Sequence, residues 1–205
     1  MSKLPSEFYL REDVRHIAKS LLGKKLCTQF NGQFTSGVIV ETEAYDGITD
    51  RASHAYGNRK TKRTKVMFAE GGTAYIYLCY GIHHLFNIVT NTKGVPHAVL
   101  IRAIEPIEGI DAMLQRRNMA KVQPRLTAGP GCLSQALGIH TSNSGISLNG
   151  NSIWIDKHKS VREDMIIESP RIGVEYAGED ALLPWRYYLK NNQWVSVINK
   201  KYNHT

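Results

Sequence analysis

The sequence predicts a mixed α+β fold with a largely antiparallel sheet. Strand-like segments outnumber helical ones and show no βαβ alternation. Asn31-Gly32 separates two strand-like runs, a strong signal for a tight hairpin. The 205 residues suffice for one domain with a real core, or at most two small ones.

Residues 12–22 carry Val14, Ile17, Ala18, Leu21 and Leu22 at helical spacing, with Glu12 and Asp13 early and Gly23 as a stop. Residues 25–30 and 33–43 form the two arms of the hairpin. Residues 73–80 are aromatic-rich and strand-like until Gly81 breaks them, and 84–90 and 98–103 read as further strands. Pro106 can open a helix over 107–118, where Ile107, Ile110 and Leu114 share a face. Residues 134–137 read as the end of a short helix closed by Gly138, and 152–155 and 194–198 as late strands. The longest loops are expected at 46–72 and 117–131.

Lys and Arg outnumber Asp and Glu by 26 to 18, a formal net charge of +8, which suits a polyanionic partner. No apolar run approaches the roughly 20 residues needed to span a bilayer, and no leader pattern precedes the first helix. An intracellular protein with no membrane partner is therefore expected. Cys27, Cys79 and Cys132 form no C-x-x-C pair, so they are expected to be reduced packing residues.

Against this basic background the stretch V-E-T-E-A-Y-D-G at 40–47 is unusual. Glu41 and Glu43 share a face at the end of an apolar strand, where a carboxylate is costly unless paired or used. Glu43 is either a general base or the acid of a salt bridge to Arg102 or another basic residue. Glu41 reads as the structural member. His54 and the pair His83-His84 raise the alternative of a zinc site with Glu43, although their spacing fits no zinc pattern. Five basic residues between 59 and 65 (Arg59, Lys60, Lys62, Arg63, Lys65) form either a solvated loop or a phosphate-facing one. Tyr75 and Tyr77 share a strand face, which is ordinary for a sheet core. Tyr80 has the opposite parity and precedes Gly81, so it projects from a turn. A binding module without catalysis would use the same basic surface and the same tyrosines.

Several longer motifs succeed one another in order: V-E-T-E-A-Y, then D-x-A-S-H-A from Asp50, R-x-T-x-R from Arg59, Y-I-Y-L-C-Y-G-I-H from Tyr75 with Asn87, V-L-I-R-A-I-E-P from Val99, G-P-G at 129–131, R-I-G at 171–173 and P-W-R-Y-Y at 184–188. Together they resemble the 3-methyladenine (alkyladenine) DNA glycosylase family across nearly the whole chain.

The resemblance implies one compact α+β domain over 1–205 around a curved antiparallel sheet, with a protruding hairpin that intercalates into DNA. It implies a monofunctional glycosylase, needing neither cofactor nor metal, that removes damaged purines from double-stranded DNA. Those purines include 3-methyladenine, 7-methylguanine, hypoxanthine and ethenoadenine. By position, Glu43 matches the family's catalytic Glu, and Arg102 an Arg beside the attacking water. Tyr45, His54 and Tyr77 match the rings that sandwich the flipped purine, and Asn87 a pocket residue that clashes with the amine of guanine. Tyr80 matches the intercalating Tyr, with Gly81 shaping the tip. Arg59, Thr61 and Arg63 would touch phosphates. The protein is expected to act as a monomer, cytoplasmic and nucleoid-associated if bacterial and nuclear if eukaryotic.

Overall fold

The computed structural model describes residues 2–198. Two helices, α1 (Ser6–Tyr9) and α2 (Val14–Leu21), open the chain. Asp13 caps α2 by accepting from the backbone N–H groups of Arg15 and His16, so the early acid marks the helix start as expected. Val14, Ile17, Ala18 and Leu21 are the buried stripe of that helix.

The sheet has eight strands: β1 (Lys25–Phe30), β2 (Gln33–Tyr45), β3 (Ala74–Cys79), β4 (His83–Thr90), β5 (His97–Glu108), β6 (Ile153–Asp156), β7 (Ile166–Ser169) and β8 (Arg186–Leu189). The order is β3-β4-β5-β2-β1-β6, all neighbours antiparallel, with β8 bonded to both β2 and β7. Strand β2 is the spine. Its first half pairs with β1, and at Glu41–Glu43 the same edge pairs with β8 instead. Opposite lies β5, in a register that skips Val40 on one strand and Arg102 on the other. Such bulges re-aim side chains, and here they turn Arg102 towards both glutamates.

Two expectations need correction. Strand β5 runs through Pro106 to Glu108, and helix α3 spans only Ile110–Arg116. Pro106 lies opposite Gly37 of β2, beyond the stretch where β4 pairs on the other side, so its missing N–H faces no strand. The break falls at Gly109, which has a φ of 71° and sits so close to the Phe34 carbonyl that a Cβ there would lie 2.1 Å from its oxygen, leaving no room for a side chain. The late strand expected at 194–198 is absent. Trp194 and Val195 are buried, but the segment docks as coil and spends its Ser196 N–H on Glu41 rather than on a ladder. The true late strands β7 and β8 lie upstream. Helix α4 (Pro130–Leu137) ends at Gly138 as expected. The 46–72 loop contains two short 3-10 turns, Tyr56–Asn58 and Thr64–Phe68. Among the described residues no helix is long and apolar enough to cross a membrane.

Candidate active site

A cavity of about 350 Å³ opens beside the hairpin of β3 and β4, within the roughly 300–1,000 Å³ of small-molecule sites. Tyr45, His54, Tyr77, Tyr80, Asn87 and Arg102 all line it. Residues from β2, the 46–72 loop, β3, the hairpin turn, β4 and β5 thus converge as their motifs suggest. Strand period explains part of this, since Tyr75, Tyr77 and Cys79 alternate onto one face of β3 and all reach the cavity.

Glu43 itself is fully buried and stands behind the wall. It meets the cavity through three neighbours that do line it. Tyr45 donates its hydroxyl to Oε2 at 2.7 Å, the Ile172 backbone N–H donates to Oε1 at 2.9 Å, and Arg102 Nη1 lies 3.3 Å from Oε1. The salt-bridge reading of Glu43 is therefore present, and it leaves part of the carboxylate's acceptor capacity for a further donor. Burial alone would pull the Arg102 guanidinium down, but Glu43 and Glu41 outweigh it and hold the group charged. Burial, followed by the negative charge of Glu43, raises the Tyr45 hydroxyl well above its usual range, so it stays a donor.

Glu41 is the structural member. Its Oε1 accepts from Arg102 Nε at 3.0 Å, Arg186 Nη1 at 2.8 Å and Ser196 Oγ at 3.0 Å, and its Oε2 from Ser196 N–H at 2.7 Å.

His54 is pushed down to about 4, by burial first and then by the Arg63 cation, so it is neutral at physiological pH. Arg63 Nη2 lies 2.9 Å from its Nε2 and 3.3 Å from its Nδ1, and Nδ1 is also 3.0 Å from the Tyr75 hydroxyl. The His54 ring meets Tyr77 edge-on at 4.6 Å. Arg63 also sits over the Tyr77 ring at 4.8 Å, so a cation already occupies one aromatic face of the site. Asn87 is held by two bonds from its amide, to the carbonyls of Tyr75 and Leu85, both 3.2 Å.

Tyr80 is 90% exposed at the turn between β3 and β4, with φ of 50°, and Gly81 comes next at 74°. Neither is packed against the core. Ile82, 71% exposed, gives the same tip a second apolar side chain.

A second cavity of about 490 Å³ adjoins the first and shares Ser53, His54 and Tyr176 with it. Arg59, Thr61 and Arg63 line it together with Arg51. Arginines and hydroxyl groups dominate its wall, and no lining residue is acidic, so it suits an anion. Thr61 is committed locally: it exchanges hydrogen bonds with Thr64, which in turn bonds the Arg59 carbonyl, so its first role is to fix the loop that carries both arginines.

The zinc alternative is not assembled. His83 lines the same cavity as His54, but His84 packs on His140 at 4.9 Å, and among the described residues no three His, Cys, Asp or Glu side chains are placed to hold a metal ion. Of the cysteines only Cys27 is buried. Cys79 and Cys132 are half-buried and line the first cavity, so the packing expectation holds for one of three. The sequence reading also missed Ile172, whose contribution is a backbone N–H, and Arg51 and Tyr176, which belong to no recognisable local pattern.

An aromatic-walled cavity with a buried carboxylate behind it, opening onto an arginine-lined one, has the shape and charge to suit a flat ring attached to a polyanion. The model of the methylpurine-DNA glycosylase (MPG) family matches residues 7–193, and the chain belongs to this family. A relative from Chlamydia felis (strain Fe/C-56), named "Putative 3-methyladenine DNA glycosylase", is 50% identical over 187 residues, 91% of this chain and 95% of its own length. Relatives of the same name from Clostridium acetobutylicum and Bacillus cytotoxicus are each 44% identical, covering 97% and 95% of this chain and 99% of their own lengths.

Proposed function

We propose that the protein is a monofunctional DNA glycosylase that flips alkylated or deaminated purines out of duplex DNA and hydrolyses their N-glycosidic bond. The substrates would be 3-methyladenine, 7-methylguanine, hypoxanthine and ethenoadenine. The reading rests on one observation above others: Tyr45, His54, Tyr77 and Asn87 face a single cavity with Arg102, and Arg102 pairs with Glu43.

A base inside a duplex cannot be reached, so it must leave the stack. Tyr45 and Tyr77 would hold its two faces, and aromatic faces favour the positive charge of an N-alkylated ring. Arg63 would leave the Tyr77 ring as a phosphate enters the second cavity, with Arg59 beside it. Asn87 would crowd the exocyclic amine of guanine, a clash that hypoxanthine and adenine lack and that 7-methylguanine offsets with the better leaving ability of its cationic ring. A water then attacks C1′ of a sugar with oxocarbenium character, as in other glycoside hydrolysis. The C1′–N bond breaks, its electron pair leaves with the base, and Glu43 takes the water's proton. Arg102 holds the carboxylate in place. The product is an abasic site, the first intermediate of base excision repair. Residues 1–205 would act as one domain and as a monomer.

The test is incubation in EDTA with a duplex carrying one hypoxanthine, and in parallel with an alkylated duplex, each then treated with hot alkali. Strand breaks that appear only after alkali are expected. Strands left intact in both arms would sink the reading.

Tyr80 supplies a separate check. Only a duplex leaves a hole for its ring, so Tyr80→Ala should weaken engagement of damaged duplex by about 1–3 kcal/mol, the scale of base–aromatic stacking. Damaged single strands should lose much less. Equal losses on both, measured by titration at one salt concentration, would take the intercalating role away from Tyr80.

A further inference from the structure

Arg171 and Asp50 form an ion pair with no exposed side-chain surface on either partner, and the reaction described above leaves it without a task. Both guanidinium ends bond the carboxylate, Nη1 to Oδ2 and Nη2 to Oδ1, the latter at 2.8 Å. Nη1 also donates to the Ala44 carbonyl at 2.9 Å and Nη2 to the Asp180 carbonyl at 3.1 Å. Ala44 is the residue between Glu43 and Tyr45, so Arg171 grips β2 at the centre of the site. Its flat face lies 4.7 Å from the Tyr45 ring centroid. The next residue, Ile172, supplies the N–H on Glu43 Oε1, and Tyr45 supplies the hydroxyl on Oε2. Both hydrogen bonds to Glu43 therefore come from groups that Arg171 touches or adjoins.

We propose that Arg171, locked by Asp50, is a positioning residue that aims the Ile172 N–H and the Tyr45 hydroxyl at Glu43 and so holds its carboxylate in one orientation. The proposal rests on Glu43 being the general base. A buried ion pair is weak support for stability, because desolvation offsets much of its attraction. A two-pronged arginine pair does fix orientation as well as distance. This one also leaves Arg171 Nε without a hydrogen-bond partner, a cost that packing alone does not explain. The 170–173 loop lies in no strand. Arg186 holds its first carbonyl, Pro170, at 3.2 Å, and Arg171 anchors the rest of the loop.

Hydrogen bonds to the charged form of a carboxylate favour that form, and a general base must be charged to accept a proton. Three groups bond or pair with Glu43, Arg102 from β5, Tyr45 from β2 and the Ile172 N–H from the loop, and Arg171, Tyr77 and Tyr176 also act on it electrostatically. Glu41 reaches it only through the shared Arg102. Loosening Arg171 disturbs two of these bonds and leaves Arg102, so the Glu43 carboxylate should lose its aim and act more slowly.

The experiment compares wild type with Asp50→Asn by single-turnover hypoxanthine excision, by affinity for a duplex carrying a tetrahydrofuran abasic analogue, and by melting temperature. At temperatures where the variant is folded, excision near neutral pH should fall about tenfold, less than the roughly 10²–10⁴-fold carried by a general base itself. The loss should appear in the rate of the chemical step and not in binding, which separates lost aim at Glu43 from a general loss of fold. Affinity for the abasic duplex should stay within about twofold, since Arg171 and Asp50 line neither cavity. If Asp50→Asn does not fold, Asp50→Glu carries the same test, because the longer carboxylate keeps the charge and displaces Arg171. Excision per folded molecule at the wild-type rate, with any loss tracking only the folded fraction, would overturn the proposal and leave the pair as a strut. Wild-type excision rates in Glu43→Gln would instead overturn the assignment of Glu43 on which the proposal rests.

Discussion

Glu43→Gln should fold, bind a duplex carrying hypoxanthine, and release the base about 10²–10⁴ times more slowly than wild type, the usual contribution of a general base. The amide preserves the shape of a fully buried side chain. Its oxygen can face the Ile172 N–H and Arg102, and its NH₂ can face Tyr45, whose hydroxyl then turns to accept instead of donate. Arg102 keeps a carboxylate partner in Glu41, so no guanidinium is stranded. What the amide cannot do is take a proton from water. Single-turnover excision with enzyme in excess isolates that step from binding and release. A rate near wild type would remove Glu43 from the chemistry and leave it as half of an ion pair.

Elements with a strong local rule were legible in the sequence. Asn31-Gly32 sets a tight hairpin wherever it falls between strand-like arms, and Asp13 caps the helix that begins beside it. The rings of the cavity were legible because motif order and strand period act together: alternation puts Tyr75 and Tyr77 on one face of β3, and Gly81 sets Tyr80 apart at the tip. Pairing that depends on distant residues was not legible. Nothing near Arg102 announces that the β2–β5 register skips it, yet that skip points it at both glutamates. Nothing near Pro106 says that one side of β5 is unpaired there, which is why a strand continues where a helix was expected. Residues 194–198 have strand-like composition, but a buried carboxylate 155 residues away claims the Ser196 N–H. The Ile172 contact is invisible for a simpler reason: a backbone donor leaves no mark in residue identity.

The same limit separates the two glutamates, which the sequence presents two residues apart and chemically alike. Glu41→Ala should cost about 3–5 kcal/mol of stability, the range for breaking one side of a buried ion pair, a large share of the roughly 5–15 kcal/mol that holds a domain together. Four hydrogen bonds end on Glu41, from Arg102, Arg186 and both donors of Ser196. Arg102 can fall back on Glu43. Arg186, 1% exposed, cannot: its remaining acceptors are the Ser169 hydroxyl and the carbonyls of Pro170 and Val197, all neutral, so its charge stays buried and uncompensated. The loss also frees Ser196 and with it the coil that carries the buried Trp194 and Val195. Denaturant unfolding should show the midpoint falling sharply in Glu41→Ala and little in Glu43→Gln, while excision per folded molecule shows the opposite order. A Glu41→Ala protein as stable as wild type would mean the network does not hold the fold, and a stable but inactive one would mean that the two carboxylates have been assigned the wrong way round.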